Sequence, residues 1–160
     1  MNLSSLLDAV RVVKENERIA YTSYADAAKK ISHTIGKNLF EQLAEFESFH
    51  YEMLTALEAS LEASGEFIDY QGREFPLPPI FEIKAAQEPN SKSVMSILAG
   101  ALGLEKTAEK AYADLADQTT DPKGRALFVK LSEEEYKHWR ILNEAYWNLS
   151  NLGTWKWIRP

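Results

Sequence analysis

Residues 44–54 read AEFESFHYEML, and within them Glu47 and His50 stand three apart. The run around them is apolar at helical spacing, through Leu39, Phe40, Leu43, Phe46, Leu54, Leu57 and Leu61. Both polar residues therefore fall inside the stripe that a helix buries. An unpaired carboxylate there is costly, so the stretch predicts a helix that brings something ionisable into a core and needs compensation for it.

The same arrangement recurs downstream. Sliding the sequence against itself by 88 residues lays Glu17 on Glu105, Tyr24 on Tyr112, Gly36 on Gly124, Phe40 on Phe128, Glu47 on Glu135 and His50 on His138. The interval from the leading glutamate to the Glu-x-x-His is 30 residues in both copies. This unit is too long for a solenoid repeat, and each copy reads as one helical hairpin. The expected fold is all-α: a four-helix bundle of two pseudo-symmetric hairpins joined by a long crossover. With 160 residues the chain fits a single domain, residues 1–160, with a hairpin over 3–64, a crossover over 65–90, a hairpin over 91–151 and a tail over 152–160.

Composition removes several classes of function. There is no cysteine, which excludes disulfides, zinc–thiolate sites, iron–sulfur centres and thiol catalysis, and a cytoplasmic setting fits. The net charge is −6 with no basic cluster, so nucleic acid is not an expected partner. The opening residues, MNLSSLLDAVRVVKENE, turn charged too soon for a signal peptide, and no apolar run approaches the ~20 residues of a membrane span. A soluble protein without a membrane partner is expected.

Taken in order, Ser4 or Ser5 is placed to cap a first helix reaching about Ile31, with Leu3, Leu6, Leu7, Val10, Val13, Glu17, Ala20, Tyr24, Ala28 and Ile31 on one face. His33 has no glutamate three residues before it and reads as a turn residue. The second helix ends near Ser64, with Gly65 as its terminator. From Glu66 to Asn90, Gly72 and the prolines at 76, 78, 79 and 89 exclude a long helix. That segment reads as the crossover, packing Phe75, Leu77, Ile80, Phe81 and Ile83 across the outside of the helices, with a ligand or partner groove as the sharper alternative. Asn90, Ser91 or Ser93 caps a third helix carrying Glu105 and Tyr112 on its apolar face. Asp121 and Pro122 open a fourth, which fades near Asn151. Trp155 and Trp157 in the tail either cover an apolar patch or make a dimer contact.

Four helices thus bring one carboxylate each to one level of the core, and two of them add an imidazole. Four buried glutamates repel one another and are driven to protonate unless something cationic lies between them. Two divalent metal ions neutralise four carboxylates. Oxygen-rich ligation with one nitrogen per ion suits iron or manganese better than zinc or copper, and a Glu from each of two helices with Glu-x-x-His from the other two is a recurrent di-metal pattern of helical bundles. A lone Glu-x-x-His on a helix is usually a solvated pair; its repetition on an apolar face at a fixed interval sets this one apart. Tyr24 and Tyr112 lie two turns beyond Glu17 and Glu105. They either hydrogen-bond the carboxylates, act as redox-active neighbours or simply pack. By helical angle Glu45, Glu133 and Glu134 point away from the stripe and are expected in solvent, and Glu109 is the one extra carboxylate near the site.

At these residues the chain resembles the rubrerythrin-like branch of the ferritin-like superfamily, over nearly all of its length. ENERIAYTSY resembles that family's first-helix glutamate motif, and AEFESFH and SEEEYKH resemble its two Glu-x-x-His motifs. The resemblance implies Glu17, Glu47, His50, Glu105, Glu135 and His138 as ligands of two iron ions, or of manganese or a mixed pair, with Glu47 and Glu135 bridging. It implies an oxidoreductase that reduces hydrogen peroxide or dioxygen, or oxidises ferrous iron, with an external electron donor and a homodimeric state. The alternative is non-catalytic iron binding or storage. Two departures stand out: the chain has no cysteine for the rubredoxin iron of two-domain rubrerythrins, and Ala108, beside Glu109, stands where they carry an extra carboxylate on the third helix. The ligand set is closer to that of bacterioferritin centres.

Overall fold

Four stretches of helical periodicity become four helices. In the computed structural model, which describes residues 1–75 and 87–157, these are α1 (Leu3–Lys30), α2 (Thr34–Ser64), α3 (Ser91–Gln118) and α4 (Pro122–Leu152). None is long and apolar enough to cross a membrane.

Local chemistry fixes their ends. Asn2, not Ser4 or Ser5, caps α1: it takes the extended conformation a cap needs, and its side-chain oxygen accepts from Ser5 N at 2.8 Å. The two serines already lie inside the helix. His33 caps α2 by accepting from Ile35 N at 3.2 Å, and Asp121 caps α4 by accepting from Gly124 N at 3.0 Å with Pro122 in the first turn. Asn90 precedes α3 without a side-chain capping bond. α2 and α4 both stop at a glycine in the left-handed region, Gly65 at φ 72° and Gly153 at φ 68°, where a Cβ would be strained. These two glycines are again 88 residues apart.

Cross-helix contacts give the direction of each rod. Arg11 meets Glu58 and Glu17 meets His50 between α1 and α2; Tyr24 meets Glu105 and Tyr112 meets Glu17 between α1 and α3; Glu47 meets His138 and His50 meets Glu134 between α2 and α4. As numbers rise along one helix they fall along its neighbour, so all three pairs are antiparallel. α2 therefore ends, and α3 begins, at opposite ends of the bundle. The connection must travel the length of a 31-residue helix, about 46 Å, which its length allows.

The described part of that connection lies across α2 and α4. Phe67 packs on Phe128, Tyr70 beside Phe49, and Phe75 against Phe46 and His138. Phe75 is buried as expected, whereas Leu77, Ile80, Phe81 and Ile83 lie outside the described residues. Trp155 and Trp157 are fully buried against this chain's own core, so neither ring is available to a dimer contact. Gln87 pairs with Thr154, and Glu88 accepts from Trp155 Nε1 at 2.9 Å, pinning the tail to the end of the crossover. Leu3, expected on the buried face, is 45% exposed because it begins α1 at the rim of the bundle.

Two apolar clusters fill the interior. One holds Leu39, Phe40, Leu43, Leu98, Leu142 and Trp155; the other holds Val10, Leu54, Leu57, Tyr112, Phe128 and Leu131. The glutamates and histidines singled out by the repeat lie between them. At each end an aromatic ring seats on a repeat-related glycine: a Cβ at Gly36 would lie 2.2 Å from Trp155 Cζ2, and one at Gly124 2.5 Å from Phe67 Cζ. Real atoms do not approach so closely, so the absent side chains are part of the packing. Gly36→Ala and Gly124→Ala are each expected to destabilise by ~1–3 kcal/mol in urea unfolding, although alanine is the better helix former. A stabilising effect of either would show that the rings shift aside at no cost.

Candidate metal centre

Each helix delivers its ionisable residues to the same layer, because a residue and its 88-residue counterpart occupy equivalent turns of equivalent hairpins. Glu17, Glu47, Glu105, Glu135, His50 and His138 are all at most 3% exposed. His50 Nδ1 lies 3.2 Å from Glu17 Oε1, 3.1 Å from Glu47 Oε2 and 2.9 Å from Glu135 Oε1. His138 Nδ1 lies 2.9 Å from Glu47 Oε1, 3.6 Å from Glu105 Oε2 and 3.5 Å from Glu135 Oε2. Two sets of ligand atoms follow, each confined within 4.8 Å: Glu17, Glu47, His50 and Glu135, then Glu47, Glu105, Glu135 and His138. Glu47 and Glu135 are common to both.

Hydrogen bonding among these groups leaves some of them unsatisfied. Among the described residues, Glu105 Oε2, Glu135 Oε1 and His138 Nε2 are buried without a hydrogen-bond partner. Glu135 Oε1 is close to His50 Nδ1 yet not aligned for a bond. A buried, oxygen-rich set of donors with orphaned oxygens fits a hard or borderline divalent cation better than it fits a closed hydrogen-bond network.

The electrostatics point the same way. Burial pushes the Glu17 carboxyl up, but the His50 charge and hydrogen bonds with Glu47, His50 and Tyr112 outweigh it and bring it down to about 2. Glu105 is likewise lowered against its burial, by bonds with Glu135 and His138, the His138 charge and Tyr24. Burial and the charges of Glu17 and Glu105 push Glu47 up to about 8. Glu135 is raised by burial and by the charges of Glu105, Glu47 and Glu17. Burial opposes charge on the two imidazoles, but Glu17 facing His50 and Glu105 facing His138 raise both well above the usual histidine range. Within the layer Glu17 and Glu105 are held toward the carboxylate form, Glu47 and Glu135 toward the acid, and both imidazoles toward the charged ring.

Tyr24 donates to Glu105 Oε1 at 2.8 Å, and Tyr112 donates to Glu17 Oε1 at 2.5 Å. Each tyrosine reaches across to the other hairpin's glutamate. Glu45 is exposed and paired with Arg73, and Glu133 is exposed, as the helical angle requires. Glu134 corrects the sequence reading: expected in solvent, it is 3% exposed, with its carboxylate accepting from Tyr70 Oη, from Arg73 N at 2.8 Å and from His50 Nε2 at 3.3 Å. The helical angle is as expected, but the crossover lies over that side of α4 and brings the donors with it. Glu109 faces Lys106 at 3.2 Å and belongs to neither ligand set.

A cavity of about 360 Å³ opens between α1 and α3 and reaches Glu17, Glu47, Glu105 and Glu135. Its walls are low, because a Cβ at Gly100 or Gly103 would meet nothing within 4 Å.

The comparisons with known proteins follow this geometry. Three solved structures share the bundle. They are a two-domain protein from Anabaena variabilis with DJ-1/ThiJ/PfpI-like and ferritin-like domains (18% identity, TM-score 0.68), a dodecameric thioferritin related to bacterioferritin from Bacteroides fragilis (20%, 0.67), and a hypothetical protein from Pyrococcus furiosus (21%, 0.68). They cover 95%, 92% and 97% of this chain, which in turn spans 39%, 87% and 94% of theirs. The class is therefore that of ferritin-like four-helix bundles. Within that class, residues 1–58 match the family model described as Rubrerythrin, a span that carries Glu17, Tyr24, Glu47 and His50. No curated protein matches the sequence.

The tyrosines make a direct test of the buried charge. Tyr112→Phe leaves the Glu17 carboxylate one donor short, and Tyr24→Phe does the same to Glu105. Each is expected to cost the metal-free protein ~1.5–3 kcal/mol in urea unfolding, the range for bonds to charged groups. A loss under ~0.5 kcal/mol would mean that the remaining donors suffice.

Proposed function

We propose that this protein is a dinuclear iron oxidoreductase that reduces peroxide or dioxygen, or oxidises ferrous iron. The reading is carried by the two overlapping ligand sets that share Glu47 and Glu135. Glu17 with His50 would hold one ion and Glu105 with His138 the other, with Glu47 and Glu135 between them. Held by these residues, two ferrous ions would supply two electrons to a small oxidant.

The chain's own residues do the rest. Glu47, Glu135, His50 and His138 would give up protons as two dications are accepted, so positive charge on metal replaces positive charge on protons. Tyr24 and Tyr112 hold Glu105 and Glu17 in place from the opposite hairpin. The two apolar clusters keep bulk water from either end of the layer, and the cavity between α1 and α3 leaves one side accessible to a molecule the size of peroxide. An external donor must return the electrons, since the chain carries no cysteine-ligated iron.

Iron storage with the same centre is the second reading, favoured by the likeness to a dodecameric thioferritin. Storage needs a shell, and a monomer or dimer on size exclusion would rule it out.

Anaerobic loading with ferrous iron is expected to fill about two sites per chain. Adding peroxide or oxygen should then oxidise that iron at least ~10-fold faster than free iron, equivalent to about 1.4 kcal/mol of barrier. Glu47→Ala, which removes a carboxylate common to both sets, should abolish paired binding. Oxidation no faster than that of free iron would end the enzymatic reading.

The proton inventory gives a second test. Glu47, Glu135, His50 and His138 are shifted toward their protonated forms and Glu17 and Glu105 toward the ionised form, so metal binding is expected to displace protons. Metal affinity should rise as pH rises and fall as it drops, steeply on the acid side of about 8, where Glu47 retains its proton. Calorimetry in buffers of differing ionisation enthalpy should find protons released on binding, up to about four per metal pair. Uptake without proton release would contradict it.

A further inference from the structure

The 88-residue repeat breaks at a position that touches the centre. Where the second copy has Glu134, the first has Phe46. Each faces the other copy's histidine, and Phe46 also stands edge-on to His50 at 5.0 Å. The Phe46 ring stands edge-on to His138 with 4.4 Å between centroids, whereas Glu134 Oε1 lies 3.3 Å from His50 Nε2. The Nε2 of His50 meets a carboxylate, whereas the Nε2 of His138 has no hydrogen-bond partner among the described residues.

That carboxylate is itself fixed from behind. Tyr70 Oη donates to its Oε1 and Arg73 N donates to its Oε2 at 2.8 Å. On the far side of the ring, His50 Nδ1 faces Glu17, Glu47 and Glu135. An imidazole that offers the Nδ1 lone pair to a metal must carry its proton on Nε2, and an acceptor on that proton sets the tautomer, orients the ring and increases its basicity as a ligand. Glu134 is built and held as that acceptor.

We propose that Glu134 is a positioning residue for one metal position alone: it locks His50 with Nδ1 toward the centre, so that the His50 position binds the first ion and the His138 position the second. This rests on the di-metal reading and adds an order of filling to it. The pseudo-symmetric ligand set is thereby made functionally unequal by a residue that touches no metal.

Glu134→Gln tests it at constant volume. The amide must turn its NH₂ either toward Arg73 N–H, donor against donor, or toward His50 Nε2, where it favours the wrong tautomer. Titration of the metal-free protein with cobalt(II), followed by d–d absorption, is expected to show two separated steps in the wild type. In Glu134→Gln the tighter step should weaken by about 10- to 100-fold while the weaker step keeps its affinity. Tyr70→Phe, which leaves the carboxylate but frees one side of it, should shift the same step by less. In the zinc-loaded wild type, NMR should show a slowly exchanging His50 Nε2–H, lost in Glu134→Gln; a role in packing alone would not move that signal selectively. A wild type that loads two ions in separated steps while Glu134→Gln loads them identically, or with both steps weakened equally, overturns this proposal and leaves the di-metal reading standing. A wild type that binds no cobalt overturns that reading and the proposal with it.

Discussion

Charge balance in a buried layer governs this molecule. Four carboxylates and two imidazoles are buried between two apolar clusters, where their charges are screened far less than at the surface. Protons can balance them in the metal-free chain, and two dications can do so in a loaded one. Either solution demands that all six groups converge, and this constrains the helices closely. Slipping one helix by a single residue would rotate its carboxylate by about 100° out of the layer. The devices that fix register are repeated with the ligands. Gly36 and Gly124 each seat an aromatic ring, Gly65 and Gly153 each stop a helix, and Tyr24 and Tyr112 each tie a glutamate to the opposite hairpin.

Approximate two-fold symmetry does not extend to the two sides of the layer. On the α1 and α3 side a cavity whose lining includes Ala20, Gly100, Gly103, Ala108 and Ala111 reaches the carboxylates. Across α2 and α4 lies the start of the crossover, whose Tyr70, Arg73 and Phe75 meet Glu134, Phe46 and His138. One side is therefore open to small molecules and the other supports the imidazoles. A connection needed only to bring the chain back to the far end of the bundle also supplies the donors that make Glu134 burial tolerable. Burial raises that carboxyl, and bonds from His50, Tyr70 and Arg73 more than offset it.

The parts of this arrangement visible in the sequence are those encoded by period and repetition. Apolar spacing gives four helices, and the offset of 88 residues groups Glu17, Glu47, His50, Glu105, Glu135 and His138, which the fold brings into one layer. Glu134 escapes that logic twice. Its counterpart is Phe46, so the repeat does not flag it, and its donors come from an aperiodic segment whose path no local pattern specifies. The caps show a smaller version of the same limit. Asn2, Ser4 and Ser5 are all competent N-caps, and only the backbone conformation decides that Asn2 fills the role. Trp155 and Trp157 read as rings needing cover; whether their own bundle or a second chain supplies it depends on where the tail turns after Gly153.

Folding alone gives no reason for such a core. Replacing buried ionic groups with well-packed apolar side chains of similar volume is often neutral or stabilising, so six ionisable residues in the centre of a bundle represent stability forgone. The cavity is a second cost at the same level, because its lining lacks the contacts that a filled core would provide. A metal kept solely to hold helices together would favour a closed site with every ligand atom engaged and no void beside it. Here the void abuts four of the six ligating candidates, on the side away from the segment that steadies the histidines. Two independent departures from good packing meet at one layer and are accommodated by repeat-related glycines, tyrosines and caps elsewhere. That coincidence fits the proposed access of a small oxidant to the carboxylates, and the stability of the bundle gives no reason for it.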